Sequence, residues 1–384
     1  MRVTHVITRL IVGGAQENTI STVLGLSELP GVTVDLISGP TTGAEGSLES
    51  QFNARSDLLK VIPNLVRPVS PLQDLRGLRA LTSIFRETKP EIVHTHSGKA
   101  GILGRVAARQ ANVPLIIHTI HGPSFGPFQG PISNLIYTNA ERWAGKATTH
   151  FVSVADAMTR QYLRSGIGRQ DQYTTIWSGF ELKSFLDAKN DLQFRAELGF
   201  EPGHLIVGKI GRLVNLKGHE DLFEAAPGII ASNPQVRFLL VGDGPARAEF
   251  EVKLKALGIS RYFVFTGLLR PNQVSRYIGI MDMLVHLSRR EGLPRALPQA
   301  LAAAKPVIAY DCDGAAEICI PEKTGFLIQP GDLTGLVKAV ALLAENPELR
   351  FKLGQYGQGL VTRRFDVKRM VLDIHALYEK LLAR

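Results

Sequence analysis

At 384 residues the chain is too long for a single core and suits two domains of ordinary size. Hydrophobic residues make up 45% and charged residues 21%, a soluble globular composition in which no run approaches the ~18 apolar residues of a membrane span. The net charge of +9 is spread out: residues 1–185 carry 18 Lys/Arg against 13 Asp/Glu, and the rest carry 26 against 22. With no polybasic tail, and with aromatics at 7% not interleaved with basic clusters, a nucleic-acid partner is disfavoured. An anionic lipid surface or an anionic small substrate fits the charge.

Met1-Arg2-Val3 leads straight into a strand without a signal-peptide apolar region. Cys312 and Cys319 are the only cysteines, so a disulfide framework is not expected and the reducing cytoplasm is. In chain order, the first half reads as strands at 3–7, 32–37, 58–62, 91–95, 115–118 and 150–154. Helices are expected at 15–28, 71–88, 98–111, 131–145 and 155–165. The second half repeats the rhythm, with strands at 205–211, 236–241, 263–265, 283–287, 307–310 and 325–328. Its helices fall near 218–231, 246–257, 271–279, 295–304, 333–345 and 347–356. Alternating βα units predict parallel sheets covered on both faces, and two series predict two Rossmann-like domains. The expected division is 1–180 and 181–364, followed by one long amphipathic helix over 365–384 that can pack back toward the first domain.

In open α/β sheets ligands bind beyond the carboxyl ends of the strands. After the first strand, Gly13 and Gly14 precede a helix in the manner of a phosphate-approach loop. They lack the spacing of a dinucleotide fingerprint, and a tight βα turn is the alternative. In Ile92-Val93-His94-Thr95-His96 the two histidines share a strand face. Joined by His118 and His121 they suggest a metal site, but the two segments contain no carboxylate to complete a usual hydrolytic one. Histidines hydrogen-bonded at strand ends are the plainer reading for His94 and His118. His121 stands on a loop, where it can reach a substrate. Lys99, opening the next helix, is a candidate acceptor contact.

In the second half, Gly211-Arg212 and Lys217-Gly218 set two spaced cations between a strand and a helix, suited to clamping a diphosphate. Asp243, in Gly242-Asp243-Gly244-Pro245, reads as a helix cap. Leu268 and Leu269 follow a strand near the same rim, where backbone groups can meet a nucleobase edge. The most informative stretch is Glu291-Gly292-Leu293-Pro294, running from an apolar strand into a helix. Here an acidic hydroxyl acceptor, a close-approach glycine and a helix N-terminus suit a polyhydroxylated anion such as a nucleotide sugar. Pro294 is expected in the first helical turn, with Gln299 roughly two turns along.

Taken together these segments resemble the retaining glycosyltransferases of family four, which have the GT-B fold: two Rossmann-like domains with parallel sheets facing across an interdomain cleft. The matching elements are Gly13-Gly14, His121-Gly122, Gly211-Arg212-Leu213 with Lys217-Gly218, Val241-Gly242-Asp243-Gly244, Thr266-Gly267, and Glu291-Gly292-Leu293-Pro294 leading to Pro306-Val307. Residues 91–109 look like the subset acting on bacterial surface polysaccharides and lipid-linked glycans. The resemblance implies that Arg212 and Lys217 hold the donor diphosphate and neutralise the leaving group. It implies that Glu291 accepts from sugar hydroxyls, while the Gly292 and Leu293 amides approach sugar and phosphate. His121 would lie near the transferred sugar, Gly13 and Gly14 over the phosphates, and Leu268 and Leu269 beside the base. One position departs from the pattern. Gln299 stands where the family commonly has a second glutamate contacting the ribose, so weaker or altered nucleotide binding is expected.

The expected activity is transfer of a hexose or N-acetylhexosamine, with retention, from a nucleoside-diphosphate sugar (a UDP-sugar favoured) to a glycan or lipid-linked acceptor. Cations and helix N-termini stabilise a departing diphosphate without a metal, and no Asp-x-Asp pair ends a strand, so neither metal nor other cofactor is expected. The rivals are a GT-B-like nucleotide-sugar epimerase using His121 and Glu291 as acid and base, and a nucleotide-sugar-binding protein without turnover, suggested by Gln299. The helix at 72–86 sets Leu75, Leu78 and Leu81 on one side and Arg76, Arg79 and Arg86 on the other. It is either an ordinary surface helix or a weak, salt-sensitive contact to the cytoplasmic face of an anionic membrane.

Overall fold

The computed structural model describes residues 1–42, 46–96, 98–126 and 128–383. It divides into two compact units, the first comprising Met1–Phe180 with Val367–Arg384 and the second Glu181–Asp366. Each is an α/β unit built on one sheet whose paired strands all run parallel.

The first unit runs β1 (Arg2–Ile7), α1 (Gly14–Ser27), β2 (Thr33–Ser38), β3 (Leu59–Val61), α2 (Pro71–Thr88), β4 (Ile92–His96), α3 (Gly98–Gln110), β5 (Leu115–Ile120), α4 (Pro131–Gly145), β6 (His150–Ser153), α5 (Asp156–Arg164) and β7 (Tyr173–Thr175). Its sheet has the order β3-β2-β1-β4-β5-β6-β7. Central strands such as β5, Leu-Ile-Ile-His-Thr-Ile, are buried at every position, as expected where helices cover both faces. On one face Val6, Ile37, Val93 and Ile116 pack under Leu81, Phe85 and Ala107. On the other, Val3, Ile7, Ile92 and Ile117 meet Ile20 and Val23 of α1 together with Met370, Ile374, Leu377 and Tyr378. Those last four belong to the C-terminal helix, Val367–Leu382, which completes this unit's core. A Cβ at Gly25 of α1 would lie 2.6 Å from Val371 Cγ2, so only glycine lets the two helices approach this closely.

The second unit contains α6 (Lys183–Leu186), α7 (Leu192–Glu197), β8 (Leu205–Ile210), α8 (His219–Ser232), β9 (Val236–Val241), α9 (Arg247–Ala256), β10 (Phe263–Phe265), α10 (Val274–Gly279), β11 (Met283–His286), α11 (Ala296–Ala302), β12 (Val307–Tyr310), β13 (Gly325–Ile328), α12 (Leu333–Glu345) and α13 (Pro347–Arg364). The sheet order is β10-β9-β8-β11-β12-β13. Phe238 stacks on Phe263 with centroids 4.4 Å apart, and Phe223 meets Phe250 edge-on at 5.3 Å. Such pairs add about 0.5–1.5 kcal/mol beyond the area they bury.

Three differences from the sequence reading have local causes. β7 is a seventh strand in the first unit, only three residues long and half-buried, too short to show a period. α13 runs on to Arg364 because Leu353, Leu360 and Val361 keep a buried stripe through its glycines. Asp243 does not cap α9; its carboxylate accepts from the Gly244 N–H at 2.8 Å and pairs with Arg247 at 3.3 Å.

Candidate active site

Both sheets reverse their strand order beside the first strand of the unit: between β1 and β4 in one, between β8 and β11 in the other. At such a point the crossovers leave in opposite directions and open a crevice at the carboxyl rim. The sequence candidates fall on the loops that leave these strands.

In the second unit, the loop after β8 carries Lys217 and the loop after β11 carries Glu291. The Lys217 ammonium donates to Glu291 Oε1, and the two side chains are 27% and 18% exposed, so the pair is sheltered yet reachable. The contact requires the two loops to touch. Gly218, at φ +66, makes this possible, because a Cβ there would stand 2.0 Å from the Leu287 carbonyl oxygen. The Arg289 N–H then donates to the Leu216 carbonyl at 2.8 Å.

Two further side chains complete the cluster. Lys209, buried within β8, donates through Nζ to the Lys217 carbonyl at 2.7 Å. Burial, reinforced by the neighbouring Lys217 charge, lowers its pKa to about 7. His286, the last residue of β11, brings Nε2 to 3.4 Å from Glu291 Oε1, but neither ring nitrogen makes a hydrogen bond. Burial lowers its pKa, against the pull of Glu291. For Glu291 itself burial acts upward, but Lys217 and His286 together outweigh it and hold the carboxyl well below the ordinary carboxylate range. Glu291 is therefore a fixed anion at neutral pH.

A turn after β12 fixes the backbone of this loop. The Glu291 N–H donates to the Asp313 carboxylate at 2.7 Å, and the Gly314 N–H donates to the Gly292 carbonyl at 3.0 Å. Asp313 holds φ +51, a left-handed conformation that a side chain rarely adopts and that Asp tolerates better than most. Gly292 and Leu293 are buried. α11 begins at Ala296 with Arg295 as its cap, so Pro294 precedes the helix rather than sitting in its first turn. The Leu297 N–H closes a single turn onto the Pro294 carbonyl at 3.2 Å. Gln299 is half-buried in α11. Arg212 is exposed in the β8 loop, and its carbonyl accepts from His219 Nε2 at 3.0 Å. A Cβ at Gly211 would meet nothing within 4 Å, so packing does not explain that glycine. Leu268 is 48% exposed and Leu269 half-buried beyond β10.

The first unit's rim has a different character. Gly13 is the residue before α1, in extended backbone at φ 174, and Gly14 opens the helix. Lys99, at the start of α3, pairs with Asp74 of α2 and donates to the Pro68 carbonyl at 2.5 Å; Ser97, just before it, lies outside the described residues. Four histidines then form a line. His121 Nε2 meets His96 Nδ1 at 3.0 Å, and His96 Nε2 meets His5 Nδ1 at 2.9 Å. His5 Nε2 lies 3.3 Å from the Tyr378 hydroxyl, which is 2.5 Å from His94 Nδ1, and His94 Nε2 is 2.6 Å from Thr119 Oγ1. A neutral imidazole has one N–H, so through His96 and His5 the links from His121 to Tyr378 point the same way, which ties the His121 tautomer to theirs. Burial lowers the pKa of His5 to about 3 and pushes those of His94 and His96 well below the ordinary value.

His118 does not join this group. It lies on the opposite sheet face with its Nδ1 2.9 Å from Thr95 Oγ1, and the fourth member is His5, paired in register with His94. One ring nitrogen from each of His5, His94 and His96 lies within 4.8 Å of the other two, but every ring nitrogen of the three is already engaged in the line. The residues that sequence reasoning missed are His5, Lys209, His286 and Asp313. His286 offered a usable signal, as a titratable side chain ending an apolar strand at the rim.

Residues 13–177 match the family described as Glycosyl transferase 4-like domain, and residues 190–359 match Glycosyl transferases group 1. Among curated relatives, the chain is 28% identical to the UDP-Gal:alpha-D-GlcNAc-diphosphoundecaprenol alpha-1,3-galactosyltransferase of Escherichia coli, over 83% of this chain and 82% of that protein. It is 23% identical to the capsular polysaccharide biosynthesis glycosyltransferase CapM of Staphylococcus aureus, over 85% and 86%. Among solved structures, Anabaena Alr3699/HepE in complex with UDP-glucose superposes with a TM-score of 0.83 at 21% identity, covering 99% of this chain and 100% of that one. The chain belongs to the glycosyltransferases of the group 1 and 4-like families and has the GT-B fold, and the resemblance drawn from its motifs is borne out. It is a glycosyltransferase enzyme.

Proposed function

We propose that the enzyme moves a hexose or N-acetylhexosamine from a UDP-sugar to a glycan or lipid-linked acceptor, with retention and without a metal. The observation that carries this reading is the Lys217–Glu291 pair at the strand-order reversal of the second unit. Departure of a nucleoside diphosphate builds negative charge on the bridging oxygen. Lys217 and Arg212 meet that charge with fixed cations, the lysine as a point charge and the arginine as a fork. Glu291, held as an anion, accepts from donor-sugar hydroxyls, and the Gly292 and Leu293 amides approach the same group. His121 offers a ring nitrogen to the transferred sugar, and Gly13 and Gly14 give the phosphates a loop without side chains. Leu268 and Leu269 flank the base, while Gln299 takes one ribose hydroxyl. The acceptor hydroxyl attacks from the face the diphosphate leaves, and a phosphate oxygen of the leaving group takes its proton, so no protein nucleophile is required. Lys99, held beside α2, is a contact for the acceptor.

The named donor of the E. coli relative and the UDP-glucose in the Anabaena complex support UDP as the nucleotide. The diphosphoundecaprenol acceptor in the first name supports a lipid-linked one. Among the described residues no helix is long and apolar enough to cross a membrane. The reading therefore has the enzyme meet such an acceptor peripherally, at a cytoplasmic membrane face, where the exposed Arg76, Arg79 and Arg86 of α2 add attraction to anionic lipid. Incubating the purified enzyme with radiolabelled UDP-sugars and an undecaprenyl-diphosphate-linked sugar tests the reading. Free UDP with a labelled α-linked product is expected. Epimerised UDP-sugar, or binding with no turnover, overturns it.

A further inference from the structure

α4 is turned inside out. Ile132, Leu135, Ile136 and Trp143 follow the i, i+3, i+4, i+11 spacing of one helical face, and that face points to water, with exposures of 77%, 61%, 59% and 58%. The opposite face, turned to the protein, has no large apolar side chain that is fully buried: its buried residues are Glu141 and the small Ala144 and Gly145. Glu141 is fully buried in an ion pair with Arg105 at 2.7 Å, both side chains 0% exposed, and also accepts from Ser124 Oγ at 3.0 Å. Asn134 Oδ1 on the same side accepts from the Gly126 N–H at 2.7 Å. Burying an ion pair costs heavy desolvation, and burying leucine and isoleucine does not. A helix that only had to cover the sheet would gain by the reverse arrangement.

Beside the C-terminal turn of α4 lies a hollow of about 610 Å³, whose walls include Arg142, Trp143, Lys146 and Arg169. None of its described lining residues is acidic. The Arg142 guanidinium is steadied by the Ser165 carbonyl at 2.7 Å and Asn139 Oδ1 at 3.3 Å. Arg169 shares its charge with Asp171 in an exposed pair at 3.2 Å, which solvent screens and a stronger anion can displace. Three cations around a tryptophan at the end of an exposed apolar stripe are complementary to one environment, an anionic phospholipid interface with its phosphates above its acyl chains.

We propose that α4 is the membrane-docking element of this enzyme. It lies flat in the headgroup layer with Ile132, Leu135, Ile136 and Trp143 toward the acyl chains, while the Arg142–Lys146–Arg169 hollow takes a lipid phosphodiester. α3 packs against both α2 and α4, so the α2 arginines share this side of the sheet and add long-range attraction. The proposal rests on the peripheral-membrane part of the functional reading and not on the chemistry of transfer.

The test uses the full chain with Trp177→Phe, which leaves Trp143 as the one tryptophan, and vesicles of phosphatidylcholine with or without phosphatidylglycerol. Co-sedimentation is expected only with phosphatidylglycerol, together with a blue shift of Trp143 emission and its quenching by brominated acyl chains. Arg142→Gln and Lys146→Gln should each weaken binding roughly five-fold, and about thirty-fold together, the scale of a cation near an anionic leaflet. Ile132→Ser with Ile136→Ser should abolish quenching while UDP binding in solution stays unchanged, which separates loss of docking from loss of fold or of the donor site. Vesicle binding that leaves Trp143 emission unmoved, or that is lost only in the Arg76/Arg79/Arg86→Gln variant, overturns the proposal. So does a failure of the parent protein to bind any vesicle. Self-association in sedimentation velocity that disappears with Ile132→Ser assigns the face to a second copy instead and also overturns it.

Discussion

The two units share the order of their first six strands and place their candidate residues at the same topological point, yet the two rims have opposite electrostatic character. In the second unit the rim is ionic: Lys217 and Glu291 are paired, with Lys209 and His286 packed behind them. In the first it is a line of imidazoles, of which burial keeps His5, His94 and His96 uncharged, joined to Tyr378 and Thr119. One fold thus offers fixed charge in one place and neutral hydrogen-bonding groups in the other. Fixed charge suits a diphosphate, whose charge rises as its bond to sugar breaks. Neutral donors and acceptors suit sugar hydroxyls, which need direction without a field.

The largest effect is expected on the ionic rim. Glu291→Ala should lower turnover by about two orders of magnitude or more, the scale of losing an electrostatic contact made in the transition state. Steady-state assays on protein whose thermal melt matches the parent give the answer. Near-normal turnover would remove Glu291 from the chemistry and reduce the contrast to one of packing.

The neutral rim is probed by acid. Burial lowers the folded-state pKa of His5 to about 3, so below about pH 6.5 the unfolded chain takes up a proton that the folded one refuses. Stability must then fall as pH drops from about 6.5 toward 3, by about 1.4 kcal/mol per pH unit for each such histidine. His5→Gln should flatten the slope of unfolding free energy against pH by about one proton, measured by urea denaturation between these limits. An unchanged slope would mean that His5 is protonated in the folded protein and that the rim is not neutral.

Chelation is expected to have the smallest effect, none at all. One ring nitrogen from each of His5, His94 and His96 lies near the other two, but the ring nitrogens are occupied by one another and by His121, Tyr378 and Thr119. Activity after prolonged EDTA treatment should equal that of untreated enzyme. Loss that Mg²⁺, Mn²⁺ or Zn²⁺ restores would turn the imidazole line into a metal site.

Much of this was legible in the order of residues. The βα rhythm marked both sheets, because buried parallel strands such as Val236–Val241 are nearly continuous apolar runs. Glu291 and Lys217 were visible because each breaks such a rhythm just after a strand, among glycines. Their contact was not visible, since it depends on β8 and β11 being neighbours, a fact of strand order that no local pattern carries. The same holds for His5, whose place in the line depends on β4 lying beside β1 in register with His94. Asp313 was hidden for another reason: its part is to hold the Glu291 backbone from an uncommon positive-φ turn. The inverted polarity of α4 was hidden too, because an apolar stripe does not announce which way it faces.

The central claim is that the ionic rim of the second unit binds a diphosphate. Calorimetric titration of uridine and UDP into the parent enzyme and into Arg212→Ala and Lys217→Ala measures it directly. Each variant should lose about 1.5–3 kcal/mol of UDP binding, a charge-assisted contact's worth, while its uridine affinity stays within error of the parent's. Equal losses for uridine and UDP would show that neither cation touches phosphate and would contradict the account.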